Sequence, residues 1–147
     1  MRFNPAGRHR VRGQRLFVRP LDLDDRFAIE AFLARYAPAS PVPHSGLLGK
    51  LVGELVAVLA IEITESAMRI DDLVVATDLR RKRVGRAMID QAAELAAKMG
   101  RVALIVEQCA NHPATFGEFL RRVGFERDGS RMIRVVEWSA GSAEEDG

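Results

Sequence analysis

The chain has 147 residues, of which 48% are apolar and 29% are charged, and its net charge is +2. A chain of this length forms one domain of ordinary size around one core. No apolar run reaches the roughly 18 residues of a membrane span, and no apolar segment follows the amino-terminal cations as in a secretory signal. The single cysteine, Cys109, excludes an internal disulfide and predicts a cytoplasmic location.

The positive charge is concentrated at the amino terminus. Five of the 22 Lys and Arg residues lie in residues 1–15 without an acid, which leaves 17 cations against 20 acids elsewhere. We expect residues 1–15 to form a basic, flexible arm, 16–138 the folded domain, and 139–147 an acidic, disordered tail. The arm could contact nucleic acid, but its only aromatic residue is Phe3, so a mobile terminus is the preferred interpretation.

The first predicted elements are a strand and an amphipathic helix. Leu16 to Pro20 has the pattern of a strand ended by proline, and Asp22 or Asp24 can cap the helix that follows. The apolar stripe of this helix has helical spacing and consists of Ile29, Phe32, Leu33 and Tyr36. Three prolines between residues 37 and 45 predict a stiff loop or a turn in place of a second helix.

A β-hairpin is predicted from Gly46 to Ile63. Its preferred turn is Gly53-Glu54, and Gly49-Lys50 gives an alternative register. A turn at residues 64–68 then leads to the central strand, residues 69–75.

Two further helices alternate with strands in the second half of the chain. The first begins at Val84 and ends at Gly100, and its apolar face consists of Val84, Met88, Ala92, Leu95 and Met99. Residues 102–106 form an apolar run typical of a strand buried on both faces. The second helix begins near Pro113 and ends at Gly124. Two strands follow, residues 125–127 and 132–138, joined by a turn at Asp128-Gly129.

The turn before the first of these helices has an unusual charge pattern. Five cations fall within seven residues, namely Arg80, Arg81, Lys82, Arg83 and Arg86. A helix N-terminus already carries partial positive charge and unpaired N–H groups, so each cation there costs a few tenths of a kcal/mol. A bound oligophosphate would compensate for this cost. The alternative interpretation is a solvated surface cluster.

The central strand, the basic turn and residues 84–87 (Val-Gly-Arg-Ala) together resemble the acetyl-CoA motif of the GNAT family of N-acetyltransferases. The family pattern is Gln/Arg-x-x-Gly-x-Gly/Ala, and this chain has Arg80-x-x-Arg83-x-Gly85, with arginine in place of the first glycine. Glycine there would let the backbone approach a pyrophosphate, whereas we expect Arg83 to keep helical dihedrals. Residues 123–125 (Val-Gly-Phe) resemble the family's later Leu-Gly-Phe, and the likeness covers residues 16–138.

The resemblance implies a single α/β domain of the α+β kind, with a mixed, mostly antiparallel sheet of six to seven strands and three to four helices. It implies transfer of an acetyl group from acetyl-CoA, which leaves as coenzyme A, to a primary amine by direct attack in a ternary complex. The acceptor is left open between a protein or peptide and a small molecule, and the protein is expected to be a monomer or homodimer. The alternative is a CoA-binding sensor or interaction module of the same fold. A nucleic-acid partner is third, and no membrane partner or metal is expected.

The resemblance also assigns residues to the cofactor. The pantetheine arm would lie against the backbone of Leu73, Val74 and Val75, and the pyrophosphate would be held by the basic turn and the following helix start: Arg80, Arg81, Lys82, Arg83, Val84, Gly85 and Arg86. Asn111 resembles the family asparagine that contacts the cofactor arm, with a helix cap as the alternative role.

Four carboxylates are candidates for the base that deprotonates the amine. Glu107 comes first because many family members carry glutamate at this strand end, Asp71 and Asp72 follow, and Glu62 is third. Neighbours in a strand face opposite ways, so at most one of Asp71 and Asp72 points into the cleft. The position of the family tyrosine that protonates the leaving thiolate is Leu120 here, so the expected consequence is a slower reaction.

Overall fold

The computed structural model describes residues 9–11, 14–77, 83–107 and 114–136. The strands are β1 (His9–Val11), β2 (Gln14–Pro20), β3 (Gly46–Leu51), β4 (Glu54–Ile63), β5 (Ala67–Val75), β6 (Ala103–Val106), β7 (Glu126–Asp128) and β8 (Arg131–Val135). The α-helices are α1 (Arg26–Tyr36), α2 (Val84–Lys98) and α3 (Ala114–Arg122), and a 3₁₀ helix, Leu23–Asp25, precedes α1. In the described residues, the loop between α1 and β3 contains no helix, as its prolines predict.

The chain divides into two compact units. Unit 1 consists of Met1–Glu62 and Asp71–Asp90, and unit 2 of Ile63–Ile70 and Gln91–Gly147. The strand order is β1-β2-β3-β4-β5 in unit 1 and β5-β6-β8-β7 in unit 2, so β5 contributes residues to both. Since β5 and β6 are parallel while β2–β3, β3–β4 and β6–β8 are antiparallel, the sheet is mixed, as predicted.

The amino-terminal arm contributes one strand to this sheet. Within the residues predicted to be flexible, β1 pairs with β2 in an antiparallel ladder from His9 opposite Leu16 to Val11 opposite Gln14. This strand is an addition to the six or seven that were predicted. The predicted acidic tail, residues 139–147, lies outside the described residues, and the domain boundaries remain a prediction.

The hairpin turn lies one residue earlier than its preferred position. Val52 and Gly53 occupy the two central positions with φ of 51° and 78°, which is a type I′ turn, and β4 already begins at Glu54. The preferred Gly53-Glu54 turn is therefore wrong, as is the alternative at Gly49-Lys50. The type I′ turn needs positive φ at both central residues, and Gly53 supplies the second at little cost.

Each unit has its own buried side chains. In unit 1, Ile29, Phe32 and Leu33 of α1 are buried, as the apolar stripe predicts, together with Leu48 and Leu59 of the sheet. In unit 2 the fully buried side chains are Met68, Ile70, Leu104, Leu120, Phe125 and Met132. The predicted apolar face of α2 is buried at Val84, Met88 and Ala92, but Met99 follows the end of the helix and is exposed. Among the described helices, none is long and apolar enough to cross a membrane.

An ion pair between a buried carboxylate and a partly exposed arginine joins the end of β2 to the start of α1. Asp25 is only 7% exposed, and its carboxylate accepts hydrogen bonds from Arg19 at 2.6 and 2.9 Å and from the Asp22 N–H at 2.9 Å. These donors, Arg19 first, lower the pKa of Asp25 to about 2. Asp22 caps the 3₁₀ helix, as one of the two predicted caps. The pair with Asp25 was not predicted.

We expect replacement of Asp25 by asparagine to remove a pH-dependent part of the stability. Because the pKa is lowered on folding, the carboxylate stabilises the fold fully above about pH 4 and loses that contribution as the pH falls towards 2. Allowing for the solvent exposure of Arg19, Asp25→Asn should lower the free energy of unfolding by about 1 kcal/mol at pH 6 and by much less at pH 2.5. Urea unfolding at both pH values measures this difference.

Asp24→Asn is the matched control, because Asp24 is an exposed carboxylate in the same turn. An Asp25→Asn protein that is as stable as the parent at pH 6 would contradict the assigned role of the pair.

Candidate functional site

The central strand extends beyond the end of its parallel neighbour. The β5–β6 ladder pairs Ala67 with Ala103, Met68 with Leu104 and Arg69 with Ile105, and β6 ends at Val106. β5 continues to Val75, and among the described residues this ladder ends at Arg69, before the second half of β5, Asp71–Val75. Where a strand is longer than the strand it pairs with, the backbone N–H and C=O groups of the additional residues can bind an extended ligand. The predicted cofactor-contacting residues Leu73, Val74 and Val75 lie in this half.

The start of α2 provides the second part of the site. The Ala87 N–H donates to the Arg83 carbonyl at 3.0 Å, which makes Arg83 the N-cap residue, directly before the first residue of α2. Val84 and Gly85 are buried, whereas Arg83 and Arg86 are exposed. The first N–H groups of a helix have no intrahelical acceptor, so this end combines two exposed guanidinium groups with backbone donors. Arg80, Arg81 and Lys82 lie outside the described residues.

Arg83 has a left-handed backbone conformation, with φ of 66°. The prediction that it keeps helical dihedrals is therefore wrong. A left-handed conformation costs a residue with a side chain about 1–2 kcal/mol, which glycine avoids. The backbone at this position thus has a conformation that glycine adopts without strain, although this chain has arginine here.

A cavity of about 370 Å³ lies at the other end of the second half of β5. Its walls are the loop Pro41–Ser45, the end of β4 at Ala60–Glu62, and Asp71 and Asp72 of β5. The cavity therefore adjoins the same strand that leads to the start of α2, and all of these residues belong to unit 1. The predicted candidates Asp71, Asp72 and Glu62 are brought together here.

Asp72 is held towards the proline loop by two hydrogen bonds. Its Oδ2 accepts from the Ser40 hydroxyl at 2.8 Å, and its Oδ1 accepts from the Leu73 N–H at 2.9 Å. Asp71 also lines the cavity, although neighbours in a strand face opposite ways, and Asp72 is the one of the two that is bonded to the proline loop. The contact between Ser40 and Asp72 spans 32 residues of chain, and no local sequence pattern predicted it.

The proline loop is itself attached to β4. The Ile61 N–H donates to the Ser45 carbonyl at 3.0 Å, and the Ser45 hydroxyl donates to the Ile61 carbonyl. At the next residue, Gly46, an added Cβ would lie 1.9 Å from the Leu59 carbonyl oxygen, so only glycine fits. These contacts fix one wall of the cavity without a second helix.

A larger cavity, of about 660 Å³, lies between α1 and the β3–β4 hairpin. Its lining includes Phe32, Arg35 and Tyr36 of α1, the hairpin residues from Leu51 to Val56, and Ala76. The rings of Phe32 and Tyr36 pack at a tilt of 49° with their centroids 4.9 Å apart, and the Arg35 guanidinium lies 5.2 Å from the Tyr36 ring centroid. Of the predicted catalytic and cofactor residues that the structure describes, none lines this cavity.

The remaining candidates lie in unit 2. Glu107 is exposed and directly follows β6. Leu120, at the position of the family tyrosine, is fully buried in α3. Asn111 lies outside the described residues. No group of three or more potential metal ligands occurs within the part of the chain that the structure describes.

Comparison with known families matches residues 14–125 to the acetyltransferase (GNAT) family model. The chain belongs to the GNAT family. The match begins within β2 and ends at the Phe125 that follows α3, so it includes the extended half of β5, the start of α2 and the cavity. A sequence search against curated proteins gives no significant match.

Solved structures of this GNAT fold are similar to the chain at low sequence identity. The ribosomal-protein-S18-alanine N-acetyltransferase from Escherichia coli is 15% identical with a TM-score of 0.70, covering 88% of this chain and 99% of that one. The E. coli acetyltransferase YhbS, solved with CoA, is 15% identical with a TM-score of 0.64, covering 92% and 89%. N-acetylglutamate synthase from Neisseria gonorrhoeae, complexed with coenzyme A and N-acetyl-glutamate, is 13% identical with a TM-score of 0.69, covering 83% of this chain and 35% of that one. These likenesses show the fold, and with it the predicted fold class.

We expect the left-handed conformation of Arg83 to be measurable as a stability cost. Arg83→Gly should raise the free energy of unfolding by about 1 kcal/mol, because glycine adopts positive φ without strain. Arg86→Gly should lower it by about 0.5–1 kcal/mol, because Arg86 lies within α2. Urea unfolding of both variants gives the two values.

Arg83→Ala separates strain from charge, since alanine removes the guanidinium but not the unfavourable φ. If Arg83→Gly lowers the free energy of unfolding as much as Arg86→Gly does, then the left-handed conformation of Arg83 carries no strain.

Proposed function

We propose that this GNAT protein transfers an acetyl group from acetyl-CoA to a primary amine by direct attack in a ternary complex. The supporting observation is the arrangement of unit 1 along one strand. The half of β5 beyond β6 has an acid-lined cavity at Asp71 and Asp72, and it leads through the basic turn to the exposed cations at the start of α2. An activated acyl donor with an anionic end and an amine acceptor have complementary sites at the two ends of this strand.

In this proposal the start of α2 binds the pyrophosphate of the co-substrate. The N–H groups of Val84, Gly85 and Arg86 are the donors, and the guanidinium groups of Arg83 and Arg86 provide charge. Arg80, Arg81 and Lys82 add to this charge by their place in the sequence. The backbone of Leu73 to Val75 binds the pantetheine arm as a neighbouring strand would, and Asn111 remains a predicted contact.

The co-substrate supplies a thioester whose carbonyl carbon is open to attack by an amine. The negative charge that develops on the acyl oxygen is stabilised by a backbone N–H of the second half of β5, an effect typically of about 3 kcal/mol. The amine must first lose its proton, and at a pKa of about 10.4 this costs roughly 4–5 kcal/mol at pH 7. Glu107, exposed at the end of β6, is the first candidate for the base, and Asp71 is the second.

Asp72 has a different role in this proposal. Its two accepted hydrogen bonds hold the carboxylate at the cavity wall, where it attracts the protonated acceptor.

The departing thiolate has no proton donor at the position of the family tyrosine. Leu120 occupies that position, and its buried hydrocarbon side chain cannot donate a proton. With a thiol pKa of about 8.5, expulsion of the free thiolate at pH 7 costs about 2 kcal/mol, so the reaction is slower but feasible.

Two measurements test the proposal together. Calorimetry should detect binding of acetyl-CoA, and a thiol reagent should detect release of coenzyme A when a primary amine is added.

Glu107→Gln should lower kcat by about 100-fold if Glu107 is the base, with little change in acetyl-CoA affinity. Arg86→Ala should weaken acetyl-CoA binding about threefold to tenfold.

Lys98→Ala is the matched control for Arg86→Ala, because Lys98 is an exposed cation at the opposite end of the same helix. No binding of acetyl-CoA at millimolar concentration would refute the proposal. Binding without turnover of any amine above buffer would favour the alternative of a CoA-binding sensor.

A further inference from the structure

The cavity at β5 combines acidic and apolar walls. Ten residues line it, and three of them are carboxylates, Glu62, Asp71 and Asp72. The others include His44 and Ser45, but neither lysine nor arginine occurs among these described lining residues. The charge of the lining is therefore negative at neutral pH, which favours a cationic ligand and disfavours an anionic one.

The apolar part of the lining lies next to these carboxylates. It consists of Pro41, Val42 and Pro43 of the loop and Ala60 and Ile61 of β4. Pro43 and Val42 are half-buried, so part of their apolar surface remains accessible. A surface of this kind binds methylene groups, whereas the carboxylates bind ammonium groups.

The size of the cavity restricts the ligand further. A volume of about 370 Å³ lies at the lower end of the range for small-molecule sites. The loop that forms one wall is attached to β4 at Ser45 and to β5 through the Ser40–Asp72 hydrogen bond. The loop wall is thus held in place at Ser40 and at Ser45. A small cavity with a fixed wall favours binding of a small ligand over binding of a folded protein surface.

We propose that the acceptor is a small aliphatic diamine or polyamine, with one amine as the nucleophile and a second ammonium group held in this cavity. This inference rests on the proposed acetyl transfer. The attacking amine must be neutral, so its own attraction to the carboxylates is lost before attack. A second ammonium group stays charged throughout, and Asp72, fixed by Ser40 and the Leu73 N–H, is the specificity-determining residue that binds it.

Three amines of matched length test the inference in the CoA-release assay. They are 1,5-diaminopentane, pentylamine and 5-aminopentanoate, which differ only in having a cationic, neutral or anionic far end. We expect kcat/KM for the diamine to exceed that for pentylamine by about tenfold, and that for 5-aminopentanoate by about 100-fold. The preference should shrink when NaCl is raised from about 50 to about 500 mM, because salt screens the charge.

Variants connect the preference to the cavity. Asp72→Asn keeps the size of the side chain and should reduce the ratio of diamine to pentylamine kcat/KM about threefold to tenfold. Glu65→Gln is the control, because Glu65 is exposed in the turn between β4 and β5 and does not line the cavity. A ratio that is unaffected by Asp72→Asn would overturn the assignment of Asp72.

Equilibrium binding keeps this test separate from that of acetyl transfer. Calorimetric titration of the same amines into the protein, alone and saturated with coenzyme A, should give tighter binding of the diamine by about tenfold in at least one state. This ranking can be measured even if acetyl-CoA does not bind or no amine is acetylated, which are failures of the proposed function. Equal binding of diamine and pentylamine, no binding of any amine, or a preference for a lysine-containing tripeptide over the diamine would overturn the inference.

Discussion

The site depends on the different lengths of two parallel strands. β6 ends at Val106, opposite the first half of β5, while β5 continues through Asp71–Val75. Among the described residues the β5–β6 ladder ends at Arg69, and the proposed binding of an extended ligand depends on the part of β5 that follows.

At the turn after β5, the backbone conformation favours glycine, but the residue present is a charged arginine. The backbone at Arg83 has positive φ, for which glycine is the suitable residue, yet the chain has a cation there. The strain is of the order of 1 kcal/mol, and a guanidinium beside a bound pyrophosphate can offset it. Strain of this kind persists where the surrounding structure enforces it, and it is frequent at ligand sites. The departure from the family motif therefore places a charged side chain at a position where glycine would be free of strain.

The cavity beside Asp72 has a loop as one of its walls, in place of a helix. Prolines prevent residues 37–45 from forming a helix, and the loop is fixed by Ser45 against Ile61, by Gly46 against Leu59 and by Ser40 against Asp72. Each attachment joins residues far apart in sequence, and together they bring a carboxylate of β5 beside apolar loop residues. The carboxylates of β4 and β5 thus give the cavity its negative charge, and the fixed loop limits its volume.

The family and the order of the elements follow from the sequence, which also predicts an anion site at the start of α2. The family and the element order are encoded locally, in strand and helix periodicity and in prolines that stop helices, and the structure and the family match agree with them, whereas the anion site remains a prediction. The left-handed Arg83, the Arg19–Asp25 pair and the contact of Ser40 with Asp72 emerge only in the folded structure. The reason is physical. The φ of a residue between two packed elements and the partner of a carboxylate depend on where distant segments are placed, and the side-chain pattern of a single segment carries no information about that placement.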